Sequence, residues 1–185
     1  VVVLVVLVVV FSLLFPDRFL TPINLTAALR QFVTLMLFAI GPSMVMVIGS
    51  LDLSYVGIWM LGSVLLWLLA PSLGIAALLV FPVLGLASGA LAGFLHIRFR
   101  IPSFIVTLSL LMIYWGLTAI LAGGYPRTVQ GFGFITARLF PRIPTPFILS
   151  LPIIFAAWFI MKRTRIGTYF CAIGSNEEGA QLAGI

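Results

Sequence analysis

The sequence predicts an all-α fold: a polytopic transmembrane helix bundle of about six spans, with several helices broken or kinked at proline. Three observations carry this expectation. Of the 185 residues, 63% are hydrophobic and only 8% charged, too little polar surface to solvate a globule of this size. The apolar residues fall in continuous runs close to the roughly 20 residues that a helix needs to cross a bilayer. These runs also lack the in–out alternation that strands of a membrane barrel require.

Val1 to Phe15 is almost unbroken Val and Leu. No basic region precedes it and no small-x-small cleavage site follows it, so it reads as the end of a spanning helix rather than a signal peptide. Without an initiating Met the sequence reads as a fragment of a longer chain. Further spans are expected over Gln31–Gly49, Tyr55–Ala70, Gly74–Ile97, Ser103–Ala122 and Phe147–Met161. Pro42, Pro82 and Pro152 fall inside these runs, where each removes a backbone donor and frees a carbonyl that neighbouring helices or a cavity must satisfy. Pro71-Ser72 reads as a tight turn, and His96 to Pro102 as a basic corner that Pro102 closes by starting the next helix. Gly123 to Pro146 is the longest polar stretch, interleaved with Phe132, Phe134 and Phe140, a composition suited to the bilayer interface or to a partner. A membrane domain over residues 1–161 and a cytoplasmic segment over 162–185 follow from this division.

Alternating spans divide the basic residues evenly. One side takes Arg98, Arg100, Lys162, Arg163 and Arg165; the other takes Arg18, Arg30, Arg127, Arg138 and Arg142. The dense run Lys162-Arg163-Thr164-Arg165 at a helix end favours the first side as cytoplasmic. A net charge of +6 dispersed over helix ends suits anionic lipid and argues against a nucleic-acid partner.

Gly85, Gly89 and Gly93 recur at every fourth position, with Ser88 and Ala92 alongside. Small residues at this spacing let a second helix approach closely, in the same chain or in another copy. Asp52, in Gly49-Ser50-Leu51-Asp52-Leu53-Ser54, needs compensation, because an Asp at the centre of a spanning helix costs about 2.5 to 3.5 kcal/mol on insertion scales. Two readings stand side by side. Asp52 caps the following helix near the membrane surface, or it faces a polar path where a helix is broken at depth. Ser54 is itself a competent cap, and Ser43, Thr107 and Ser109 are by default bonds between helices.

Enzyme signatures are absent from the sequence. A single His and a single Cys, Cys171, leave no His-x-x-x-His pair, disulfide or thiolate metal site. No phosphate-binding P-loop is present, and no cofactor is expected. The chain ends on Gly174-Ser175-Asn176-Glu177-Glu178-Gly179-Ala180-Gln181-Leu182-Ala183-Gly184-Ile185. Ser175 or Asn176 is a strong N-cap, Glu177 and Glu178 suit the first turn, and Gly184 suits a stop. So short a helix is unstable alone in water. Its apolar side must be pinned, after a basic anchor and a linker over Ile166–Ile173, by the membrane domain or a cytoplasmic partner.

Several of these pieces occur together in one family. Leu51-Asp52-Leu53-Ser54, Arg100-Ile101-Pro102-Ser103-Phe104-Ile105-Val106-Thr107-Leu108, Gly123-Gly124-Tyr125-Pro126, Arg163-Thr164-Arg165-Ile166-Gly167 and Ala172-Ile173-Gly174-Ser175-Asn176-Glu177-Glu178-Gly179-Ala180 resemble, in order and spacing, the permease subunits of ribose-type ABC sugar importers. The resemblance implies a multi-pass subunit of the bacterial inner membrane, paired with a second permease copy. It implies a separate cytoplasmic ABC ATPase gripped at Asn176, Glu177 and Glu178, and an extracytoplasmic sugar-binding protein docking on Gly123–Pro146. Asp52, Ser54 and Thr107 become candidates for the translocation path, and Gly85, Gly89 and Gly93 for helix packing. The chain departs from the family pattern at Ser50 and Leu51, where Gly and Ile are usual, and at Ser103, where a second Pro is usual. Permeases for branched-chain amino acids or nucleosides would read similarly; an ion channel would need charged or carbonyl rings that only Asp52 begins to supply.

Overall fold

The computed structural model describes residues 2–133 and 143–185. These residues form an all-α bundle. Helices α1 (Val2–Leu14) and α2 (Pro16–Phe19) lead into α3 (Pro22–Val47). After a non-helical stretch over 48–53 come α4 (Ser54–Leu73), a 3-10 turn (Gly74–Leu79), α5 (Val80–Phe99) and α6 (Ser103–Ala122). The last three are α7 (Thr145–Arg163), α8 (Arg165–Ser175) and α9 (Glu177–Leu182). Phe134, Arg138, Phe140 and Arg142 lie outside the described residues.

Among the described residues, four stretches are long and apolar enough to cross a membrane: Pro22–Val47, Ser54–Phe99, Ser103–Ala122 and Thr145–Arg163. The second, with 46 residues, is two crossings folded back on each other. Ser54 meets Ser88, with their hydroxyls 3.5 Å apart, while Gly62 and Trp59 meet Phe81. Pairing that advances along α4 while retreating along α5 defines an antiparallel hairpin. By contrast α1, with 13 residues, spans only about 20 Å at 1.5 Å per residue, short of the roughly 30 Å hydrocarbon core.

Proline positions differ from the sequence expectation. Pro71 does not turn the chain: α4 continues through it to Leu73, and the reversal falls at Gly74, whose φ of 54° suits glycine. Pro82 sits in the first turn of α5, where the missing N–H would have had no intrahelical partner anyway. Pro42 and Pro152 are interior to α3 and α7, as expected.

Close helix packing centres on α4. A Cβ at Gly57 would lie 2.9 Å from the Tyr114 Cβ and 3.2 Å from the Leu111 Cα of α6. Thr107 of α6 reaches the Leu51 carbonyl just before α4, so the two helices run parallel. The serines and threonines of the spans mostly turn inward on their own helices: Ser43 donates to the Ala39 carbonyl, Ser63 to Trp59 and Ser109 to Ile105. That satisfies their hydroxyls without help from lipid.

Candidate functional site

The elements place the chain's polar features at one end of the bundle. There the break over 48–53, the start of α6, the His96–Pro102 corner and the Lys162–Arg165 run come together with α8 and α9. The link is direct at Gly174, where a Cβ would run into the Val47 carbonyl at the end of α3. At the opposite end, Arg127 donates through Nε to the Ala122 carbonyl at 3.0 Å, and its guanidinium lies 4.6 Å from the centroid of Trp67. That arrangement neutralises the exposed carbonyls at the C-terminus of α6.

Asp52 sits in the break, one residue before the N-cap position Leu53, and its side chain accepts from the first residue of α4. Its Oδ1 accepts from the Ser54 N–H at 2.7 Å and from the Ser54 hydroxyl at 2.6 Å. Ser54 is buried, 2% exposed, so the cap role considered for Ser54 passes to Asp52 and the serine becomes its donor. The exposed backbone of the break is then held by α6. The Leu51 N–H donates to Ser103 Oγ at 3.1 Å, and the Thr107 hydroxyl donates to the Leu51 carbonyl at 3.2 Å while also reaching the Ser103 carbonyl at 2.9 Å. Both polar backbone groups of one unwound residue are thereby satisfied by side chains a turn apart, as irregular backbone among membrane helices requires.

The same groups line a cleft of about 220 Å³. Asp52, Ser50, Ser103, Thr107 and His96 supply its polar wall; Gly89 and Gly93 supply an open wall on α5. His96 is held through Nδ1, which donates to the Ile101 carbonyl at 2.7 Å and closes the corner around Arg100, a residue in the left-handed region at φ 55°. Capping and cleft-lining are thus one geometry: Asp52 stabilises the start of α4 and contributes to a polar recess. The close approach considered for Gly85, Gly89 and Gly93 is not made within the described chain, since a Cβ at any of them meets nothing within 4 Å.

Replacing Asp52 should separate its acceptor role from its charge. Asp52→Ala is expected to lower stability by about 1 to 2 kcal/mol, because the Ser54 N–H and hydroxyl lose their acceptor. Asp52→Asn keeps Oδ1 and should cost little. Thermal unfolding of the purified protein in mild detergent reads the difference, and equal losses in both variants would assign the effect to charge instead of capping.

The terminal segment is more ordered than a linker. Ile166 to Ile173 lies within α8, because Ile166, Tyr169, Phe170 and Ile173 fall on one helical face at i, i+3, i+4 and i+7. This spacing was the available signal for α8. Asn176 is the N-cap of α9, its side chain accepting from the Gly179 N–H at 2.9 Å, whereas Ser175 donates back to the Cys171 carbonyl. Glu177 and Glu178 occupy the exposed first turn, and Gly184, at φ 78°, follows the end of the helix. Ala180 is buried, while Leu182 is 91% exposed. The helix thus offers two carboxylates and one bare apolar side chain outward.

The described residues thus form a helical bundle with four stretches long and apolar enough to cross a membrane, a break at an acidic residue, and a short acidic helix packed on α8. The chain belongs to the family described as branched-chain amino acid transport system / permease component, which matches residues 24–185. Among curated proteins it is 33% identical to the ribose import permease protein RbsC of Haemophilus influenzae over 98% of this chain and 58% of that protein. It is 30% identical to RbsC of Escherichia coli strain K12, over 98% of this chain and 59% of the relative. It is also 30% identical to the D-allose transport system permease protein AlsC of the same strain, over 99% and 58%. The chain therefore spans less than two thirds of these relatives' length. No solved structure matches it.

Proposed function

We propose that this chain is part of the permease subunit of a bacterial ABC importer that moves a monosaccharide across the inner membrane. The observation that carries the reading is likeness over nearly the whole chain to permeases named for ribose and allose. In this reading residues 1–161 are the membrane domain and 162–185 the cytoplasmic segment, with Lys162 to Arg165 inside, in keeping with the preference of basic residues for that side. A cytoplasmic ABC ATPase grips α9 through Asn176, Glu177 and Glu178; the exposure of both carboxylates and of Leu182 supports this. The other partners are a second permease copy, an extracytoplasmic sugar-binding protein at the opposite end, and surrounding lipid. The chain itself is not the ATPase and needs no cofactor.

Transport proceeds by alternating access. Closure of the ATPase pair moves α9 and α8 as a lever, and the bundle shifts between two packings of similar stability. Asp52 and Thr107, which line the cleft, mark the translocation path, with Ser54 behind Asp52 as its hydrogen-bond donor; there hydrogen-bonding groups replace water for a polyhydroxylated solute. Because the family description names branched-chain amino acids, a permease for those is the second reading; uptake of labelled sugar against labelled leucine distinguishes the two.

Reversing charge at the lever tests the coupling. Full-length protein carrying Glu177→Lys, co-expressed with a candidate ABC ATPase, should remain in the membrane and lose the ATPase on purification. Uptake should fall at least tenfold, a coupling loss of about 1.4 kcal/mol or more. Unchanged co-purification and uptake would remove the assignment of α9.

A further inference from the structure

A second recess lies outside the cleft, between α3 and α7, with a volume of about 400 Å³. Met36, Ile40 and Met44 on one wall face Ile154, Ala157 and Trp158 on the other, and the groove ends at Lys162. The lining contains a single charged residue, that lysine, at the mouth. Ser43, the sole hydroxyl on the wall, donates to the Ala39 carbonyl at 2.6 Å and so offers its proton to its own helix. Arg163 beside Lys162 lies over the Trp158 ring, 5.8 Å from its centroid, while Lys162 itself lines the groove. From Met36 to Val47 the groove runs about 16 Å along α3, close to half of the roughly 30 Å hydrocarbon core. Its depth therefore suits one leaflet, and its charged mouth lies where headgroups lie.

We propose that this groove binds one anionic phospholipid, an acyl chain lying between α3 and α7 and its phosphate headgroup meeting Lys162. The apolar walls accept the chain, and the lone ammonium distinguishes an anionic from a zwitterionic headgroup. A basic residue near a membrane surface confers a preference of roughly fivefold for anionic lipid. The site does not depend on what the protein transports, so its test reads lipid and not uptake.

The protein is reconstituted in vesicles of phosphatidylglycerol and phosphatidylethanolamine in equal parts, with one lipid at a time carrying a photoreactive acyl chain. Peptides covering 36–47 and 154–162 should be labelled about fivefold more by phosphatidylglycerol. Lys162→Gln should abolish that preference while total labelling persists, and Ala157→Phe, which fills the groove, should lower labelling by either lipid. Arg98→Gln, at the other basic corner, should change neither. Equal labelling by both lipids in the unaltered protein would reduce the site to nonspecific lipid contact and overturn the proposal. Absence of lipid label, with the groove crosslinked to polypeptide from a second copy or from further helices of a longer chain, would overturn it as well.

Discussion

Gly174→Ala is expected to lift α8 from α3 while leaving the rest of the bundle folded. The added Cβ would run into the Val47 carbonyl and come within 3.0 Å of its carbon, and backbone cannot rotate away as a long side chain can. Overpacking of this kind costs about 1 to 3 kcal/mol, which shifts the docked population of α8 and α9 by about 5- to 150-fold. Limited trypsin digestion measures it, because Lys162, Arg163 and Arg165 lie at the junction of α7 and α8. Cleavage there should accelerate by at least the lower figure, with the spans protected. Gly41→Ala, at a position where a Cβ meets nothing within 4 Å, is the matched control. Equal cleavage rates in the Gly174 variant and its parent would show that the close approach to Val47 does not hold the segment.

The second large effect is expected at Gly57, the point where α4 lies closest to α6. Gly57→Val places three carbons against Tyr114 and the Leu111 backbone, in a buried position between parallel helices. The expected cost is again about 1 to 3 kcal/mol, and more if the helices cannot part. It should appear as a lower unfolding midpoint in detergent and a smaller yield of monodisperse protein. Gly85→Val should leave the midpoint of the isolated chain unchanged, because that face of α5 is open. If Gly85→Val instead lowers self-association, the Gly85, Gly89, Gly93 stripe belongs to a contact between copies. A Gly57 variant as stable as its parent would mean that the α4–α6 spacing is not set by that glycine.

These contrasts show where sequence patterns carried information and where they did not. The small-residue repeat on α5 is conspicuous because it is periodic, yet among the described residues Gly89 and Gly93 line a cleft and Gly85 meets no neighbour. Gly57 and Gly62, which make close contacts between spans, have no repeat to announce them; they act singly, one against α6 and one against Phe81. Asp52 behaves differently again. Its cost in lipid was legible, and the groups that meet its carboxylate, the Ser54 N–H and hydroxyl, lie only two residues on; what the position of α6 added was Ser103 and Thr107 for the backbone of Leu51. For α8 the signal was present in the spacing of Ile166, Tyr169, Phe170 and Ile173, masked by the basic residues before it and the glycines within it.

Composition and the length of the apolar runs alone determined that this protein is an all-helical membrane bundle, because a chain so poor in polar groups must pair its backbone internally and bury its side chains in lipid. Local chemistry likewise narrowed the cap of the last short helix to Ser175 or Asn176 and placed its stop at Gly184, since such residues act on groups only a few positions away. Tertiary structure decided the rest: which glycines meet a neighbour, how the Leu51 backbone of the break is satisfied, and that the break and the basic run share one end with α8. Each of these depends on atoms brought together from distant parts of the chain, and the distance between such atoms is set by how whole helices pack.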